Sequence, residues 1–129
     1  MKTAHDTVTA YFDALVARDA ENLIELMHPV SHYVKIGTDA GEILTGGSEI
    51  AAYYENHVAS TEDFSITFLN LDVQVRNEAA WFYTRQIWRL RWQGNPIEEF
   101  VMRMTGVLER VDGAWKFVQI HASTGVLTT

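Results

Sequence analysis

RMTGVLERVDGAWKFVQIHAS, residues 103–123, is the stretch that decides the fold. Two strand-like runs flank Asp112-Gly113. An Asp-Gly pair between alternating apolar residues is a strong hairpin signal, because its backbone readily adopts the positive φ angles of a tight turn. A two-residue loop there fixes the register. Val111 then faces Ala114, Leu108 faces Phe117, Gly106 faces Gln119 and Met104 faces His121.

Working outward, the 129 residues suffice for one domain, 1–129, with its own core. Hydrophobic residues make up 47% and the net charge is −7, which argues for a globular chain and against nucleic acid or an anionic membrane as partners. Cysteine is absent, so there is no disulfide framework or thiolate chemistry, a composition that fits the cytoplasm. No apolar run approaches the roughly 20 residues that span a bilayer, and MKTAHDTVTAYFDAL is amphipathic and acid-containing, unlike a signal peptide.

Val8, Tyr11, Phe12, Leu15 and Val16 form the stripe of an amphipathic helix, which Thr3 caps with Asp6 three residues on. Asp19 caps a second helix bearing Leu23, Leu26 and Met27, and Pro29 stops it. Ser31 to Ile36 reads as a short strand. Gly46-Gly47-Ser48 opens a third helix with Ile50, Tyr53, Tyr54, His57 and Val58 on one stripe. From Phe64 onward the chain is strand. Apolar parity switches between Phe68 and Leu69, which predicts a bulge or sharp bend there. Turns are expected at Asn77-Glu78, Gly94-Asn95 and Asp112-Gly113. The layout is α+β: three N-terminal helices packed on a strongly bent, mainly antiparallel sheet, which leaves an open-mouthed internal pocket.

Two-residue loops at all three turns carry the register across the sheet. One face then holds the rows Asn70-Arg85-Met104-His121, Asp72-Tyr83-Gly106-Gln119 and Gln74-Trp81-Leu108-Phe117. The other holds Val73-Phe82-Val107-Val118 and Leu71-Thr84-Thr105-Ile120. Three helices cannot cover both faces. The first face, with the largest aromatics and the polar groups, is expected under the helices, and the second against another copy of the chain in a two-fold homodimer. The alternative swaps the two faces.

On the first face, Arg85 is a permanent cation suited to a carboxylate. His121 is suited to proton transfer, and Asp72 to neutralising Arg85 or acting as a base. Tyr83, Asn70 and Gln119 join them, Trp81 and Met104 surround them, and Gly106 leaves a gap among them. Tyr54 lines the pocket from the third helix. The same group is equally what a satisfied buried network looks like. His28, His32 and His57 lack metal-ligand spacing, and nothing in the chain calls for a cofactor or a metal.

The tail RMTGVLERVDGAWKFVQIHAS, with GTDAGEILTGGSEI upstream, resembles the SnoaL-like, nuclear-transport-factor-like superfamily of cone-shaped α+β domains. Members include ketosteroid isomerases, polyketide cyclases, dehydratases and the association domain of calcium/calmodulin-dependent kinase. The resemblance implies dimerisation through the sheet and a pocket between sheet and helices. The kinase association domain is nearest in pattern: its Tyr-x-Arg matches Tyr83 and Arg85, and its terminal His-x-Ser matches His121 to Ser123. Its arginine implies a pocket for small carboxylates, although its second pocket arginine falls where this chain has Gly106. The isomerases carry a carboxylate on the first strand, whereas residues 33–37 offer none and Asp39 lies beyond. The expectation is a dimeric protein binding a small carboxylate or polar aromatic ligand at Arg85 and His121. The alternative is an isomerase, cyclase or dehydratase with His121 and Asp72 as acid and base. Fold kinship alone does not choose between them.

Overall fold

The structure is a computed structural model that describes residues 2–27 and 32–124. Helix α1 (Ala4–Ala17) begins in a reciprocal capping box: the Asp6 amide donates to Thr3 Oγ1 and the Thr3 amide to Asp6 Oδ2, both at 3.0 Å. Its stripe buries Val8, Tyr11, Phe12 and Leu15, with Val16 left at the rim. Asp19 caps the short α2 (Ala20–Glu25) by accepting from the Asn22 amide. The third helix, α3 (Gly47–Ser60), buries Ile50, Tyr54 and His57. The expected stop at Pro29 and the start of the first strand at Ser31 lie outside the described residues.

Six strands form one sheet: β1 (Val34–Ile36), β2 (Ile43–Thr45), β3 (Thr61–Arg76), β4 (Ala79–Trp92), β5 (Ile97–Val111) and β6 (Ala114–Ser123). Their order is β2-β1-β6-β5-β4-β3. Neighbours are antiparallel except β1 and β6, which run parallel. Strand β2 is not anticipated by the sequence reading. With three helices beside a bent, mainly antiparallel sheet, the architecture is the expected α+β cone.

The Asp112-Gly113 turn and the bend near Phe68 work as read. Asp112 and Gly113 have φ of 51° and 82°, and Val111 pairs with Ala114 across them. The β3–β4 register slips between Phe68 and Asn70, so Phe68 and Leu71 both reach the helix side although their parities differ. Phe68 meets Phe12 edge-on there, with ring centroids 5.5 Å apart.

Two departures from the expected register reverse part of the face assignment. The last β4–β5 pair is Arg91 with Ile97, so the connection around Gly94-Asn95 is longer than a two-residue turn. Arg85 therefore faces Arg103, not Met104. In β6, Leu108 pairs with Phe117 as expected, but Val107 pairs with Gln119, leaving Val118 as an extra residue. The observed rows are Asn70-Arg85-Arg103-Ser123 and Asp72-Tyr83-Thr105-His121, with Leu71-Thr84-Met104-Ala122 between them on the opposite face.

The helices cover the face of Ala80, Phe82, Thr84, Gln86 and Trp88, all buried, while Trp81, Tyr83 and Arg85 are exposed. Packing explains the choice. Tyr11 and Phe12 of α1 need space above the sheet, and the chosen face supplies it with Ala80, Thr84, Gly106 and Ala122. The gap at Gly106 is no ligand space. A Cβ there would lie 2.8 Å from the Gln119 carbonyl oxygen and 2.5 Å from the edge of the Phe82 ring. Phe82 fills it and continues through Phe117, 6.0 Å away, to Tyr11.

Candidate functional site

Between the helices and the sheet lies a cavity of about 1140 Å³ that opens to solvent. The volume lies slightly above the roughly 300–1,000 Å³ that small-molecule sites occupy. Buried Trp88, Met102 and Met104 form the sheet wall, with Phe100 beside them. The deep end holds Tyr11 and Tyr54, whose hydroxyls are 2.6 Å apart. Burial raises both phenols well above the ordinary value, so both stay neutral. The mouth carries exposed Asp39 and Glu98 with half-buried Trp92.

The opposite wall is built by β1 and α3. Lys35 on β1 has the parity of Tyr33 and pairs with buried Ile120, which turns its side chain toward the helices. Only 4% of the residue is exposed. Its Nζ donates to the Tyr53 hydroxyl at 3.3 Å, lies 4.4 Å from the Tyr53 ring centroid, and stands 3.9 Å from Glu42 Oε1. Burial pulls the ammonium down to about 8, with Glu42 opposing. The Tyr53 phenol is raised, first by burial and then by Glu42.

His57 completes this wall one turn beyond Tyr53. Its ring lies 5.4 Å from Trp92, 5.9 Å from Tyr53 and 6.3 Å from Phe64. Burial pushes its pKa down to about 4, and the nearby Lys35 adds to the effect. The imidazole is therefore neutral at physiological pH, and its Nδ1 has no hydrogen-bond partner among the described residues.

Of the site residues expected from sequence, Met104 and Tyr54 line this cavity. The others do not. Arg85, Tyr83, Trp81, Asp72, Gln119 and His121 are exposed on the face turned away from the helices, and Asn70 is half-buried on that same face. Arg85 and His121 do share a face, but it is the outer one. Asp72 accepts from Gln74 Nε2 at 2.8 Å, and Asn70 Oδ1 accepts from the Arg85 amide at 2.9 Å. The β3 and β4 residues lie outside because the helix layer takes the face with small residues, the longer β4–β5 connection parts Met104 from them, and the extra residue Val118 keeps Gln119 and His121 on their side.

The sequence reading passes over Lys35, counting residues 33–37 only for the carboxylate they lack. A lysine flanked by Val34 and Ile36 in a strand shares its face with Tyr33, and that pattern is the available signal. Tyr53 and His57 are visible as an aromatic stripe, which ordinary core packing explains equally well. Among the described residues no His, Asp and Glu side chains converge as a metal site, and no helix is long and apolar enough to cross a membrane.

Comparison with known proteins agrees with this architecture. A candidate dehydratase of the NTF2-like family from Streptomyces avermitilis is 22% identical, with a TM-score of 0.82, covering 94% of this chain and 92% of that one. A candidate scytalone dehydratase from Novosphingobium aromaticivorans is 18% identical, with a TM-score of 0.81 over 95% and 81% of the two chains. A candidate calcium/calmodulin-dependent protein kinase II association domain from Xanthomonas campestris is 20% identical, with a TM-score of 0.76 over 96% and 89%. At such identities the likeness is one of fold. No curated protein matches the chain. The model of the SnoaL-like domain matches residues 5–127, nearly the whole chain, and the protein belongs to that family.

Proposed function

We propose that this protein binds a small polar aromatic molecule in the cavity between helices and sheet, with Lys35 and Tyr53 as its polar anchors. The observation that carries the reading is the buried Lys35 ammonium on the wall of an aromatic cavity. A cation taken out of water is costly unless an anion or dipole compensates it. Glu42 at 3.9 Å compensates only in part, and a ligand oxygen would complete the site. The expected small carboxylate or polar aromatic keeps its chemistry, while the anchor moves from Arg85 to Lys35. Acidic Asp39 and Glu98 at the mouth favour a ligand with a single anionic or hydrogen-bonding oxygen over a multiply charged one. Titration calorimetry with 4-hydroxybenzoate tests this. Binding should be lost in Lys35→Met and kept in Arg85→Ala. Equal loss in both variants, or none in Lys35→Met, would count against it.

The enzymic alternative is a dehydratase- or isomerase-type proton transfer in the same cavity, suggested by the names of two similar structures. His121 and Asp72 lie on the outer face, so the neutral His57 imidazole and the Tyr53 phenol are the groups for it. The outer face would then serve assembly. Trp81 and Tyr83 are 43% and 49% exposed there, and covering them in a homodimer would remove apolar surface from water. The acidic net charge favours neither nucleic acid nor an anionic membrane as a partner.

A further inference from the structure

The cavity wall holds an amine in an uncommon position. The amine of Lys35 projects from the middle of a strand into the aromatic cavity and contacts the Tyr53 hydroxyl, with no carboxylate oxygen of the described residues within hydrogen-bonding distance. Lys2 and Lys116 are the chain's other lysines. Lys116 donates to the Glu25 carbonyl at 2.7 Å, outside this cavity. The amine, a neutral phenol beside it and ring-accepting walls of Trp88 and Phe100 are the components that imine chemistry needs.

From this arrangement we infer that Lys35 forms an imine with aromatic aldehydes or ketones bound in the cavity. The inference rests on the ligand-binding reading above and specifies its chemical class. The neutral Nζ adds to the carbonyl carbon, and the amine proton lost in that step arrives on the carbonyl oxygen through the Tyr53 hydroxyl. The carbinolamine then loses its C–O bond. The oxygen leaves as water with the second nitrogen proton, and a C=N bond remains. Amine and carbonyl become imine and water, with no oxidant or reductant. Once protonated, the imine withdraws electrons from the adjoining carbon, which is how lysine amines assist proton removal there.

The surroundings suit the step. Burial already brings the ammonium down to about 8, so a far larger share is neutral near physiological pH than for an exposed lysine. The titratable groups that share the cavity with the amine are Glu42 and Asp39 from the loop after β1, Tyr11 from α1, Tyr53, Tyr54 and His57 from α3, and Glu98 and Glu99 from β5. Glu42 favours the ammonium form against burial, while the neutral Tyr53 hydroxyl accepts from Nζ and the neighbouring His57 imidazole stays neutral. Adduct formation should therefore rise with pH through about 8.

Incubation of the intact protein with 4-hydroxybenzaldehyde, borohydride reduction and peptide mapping tests the inference. The expected result is a secondary amine on Lys35 in at least about tenfold preference over Lys2 and Lys116, as a lowered amine pKa in a binding cavity predicts. Excess 4-hydroxybenzoate should suppress it. Uniform labelling of the three lysines, or none at Lys35, would overturn the inference. If the benzoate binds while the aldehyde labels nothing selectively, imine chemistry fails and ligand binding stands. If the benzoate does not bind either, both fail. The mapping uses the unmodified chain, so the folding of Lys35→Met does not affect the outcome.

Discussion

The Tyr11 and Tyr54 hydroxyls meet at 2.6 Å in the deep end of the cavity, and their bond ties α1 to α3. Both side chains are about 1% exposed, so each hydroxyl depends on a protein partner in place of water. Tyr54→Phe leaves the Tyr11 hydroxyl buried with its partner gone, and should cost about 1–3 kcal/mol. The double variant Tyr11→Phe/Tyr54→Phe should cost less than the sum of the two single changes. Denaturant unfolding of the four proteins measures the coupling.

His57 makes stability fall in mild acid. Its folded pKa is about 4 against an ordinary 6.5, so between those values the unfolded chain binds the proton and the folded chain does not. Stability is therefore lost as pH drops through that window, by at most about 3 kcal/mol for a shift of this size. In His57→Phe, whose ring keeps the contacts with Trp92 and Phe64, the wild-type loss between pH 6.5 and 4 should shrink. Thermal melts across that range on both proteins check it.

Lys35 acts in the opposite range. Its folded pKa is about 8 and its ordinary value 10.5, so above pH 8 the unfolded chain holds the extra proton and the native state gains stability as pH rises. Above pH 10 the raised phenols of Tyr11 and Tyr54 reverse the trend. Lys35→Met should be more stable than wild type at pH 7, by on the order of 1–3 kcal/mol, because a buried charge with partial compensation is replaced by an apolar chain of similar length. The gap should narrow between pH 8 and 10 in urea titrations.

Gly106→Ala tests the packing that chose the inner face. The added methyl meets the Gln119 backbone oxygen and the Phe82 ring, and a backbone contact is not relieved by turning a side chain. A loss of about 1–3 kcal/mol is expected, in line with overpacking elsewhere. Calorimetric melting gives the number, and a neutral result would mean the sheet relaxes there.

The proposed homodimer predicts a solution mass. Trp81→Glu places a charge at the centre of the exposed aromatic patch, and light scattering should then show the wild-type mass halved without change in the melting of the fold. A wild-type chain that is monomeric at high concentration would refute the dimer.

Helix caps at Thr3 and Asp19, the hairpin at Asp112-Gly113 and the bend at Phe68 were legible because each is set by a few neighbouring residues. The β3–β4 rows were legible too, since Asn77-Glu78 closes a two-residue turn between Arg76 and Ala79. The β4–β5 rows were not, because the longer connection after Arg91 leaves no residue pattern that counts its length. Val118 is equally silent: an apolar residue continuing an apolar strand does not announce itself as an extra one.

The sequence by itself determined the three helices, the four long strands and the turns at Asn77-Glu78 and Asp112-Gly113, which rest on short-range patterns, and its tail motif carried the family kinship. Only the tertiary structure decided which sheet face meets the helices, and with it where Arg85 and His121 point. A one-residue change in register carries a strand's side chains across the sheet, so a choice made by distant packing of Tyr11, Phe12, Phe82 and Gly106 moves the whole polar row to the outside. The same choice leaves Lys35, unremarkable in the linear chain, as the buried cation of the cavity.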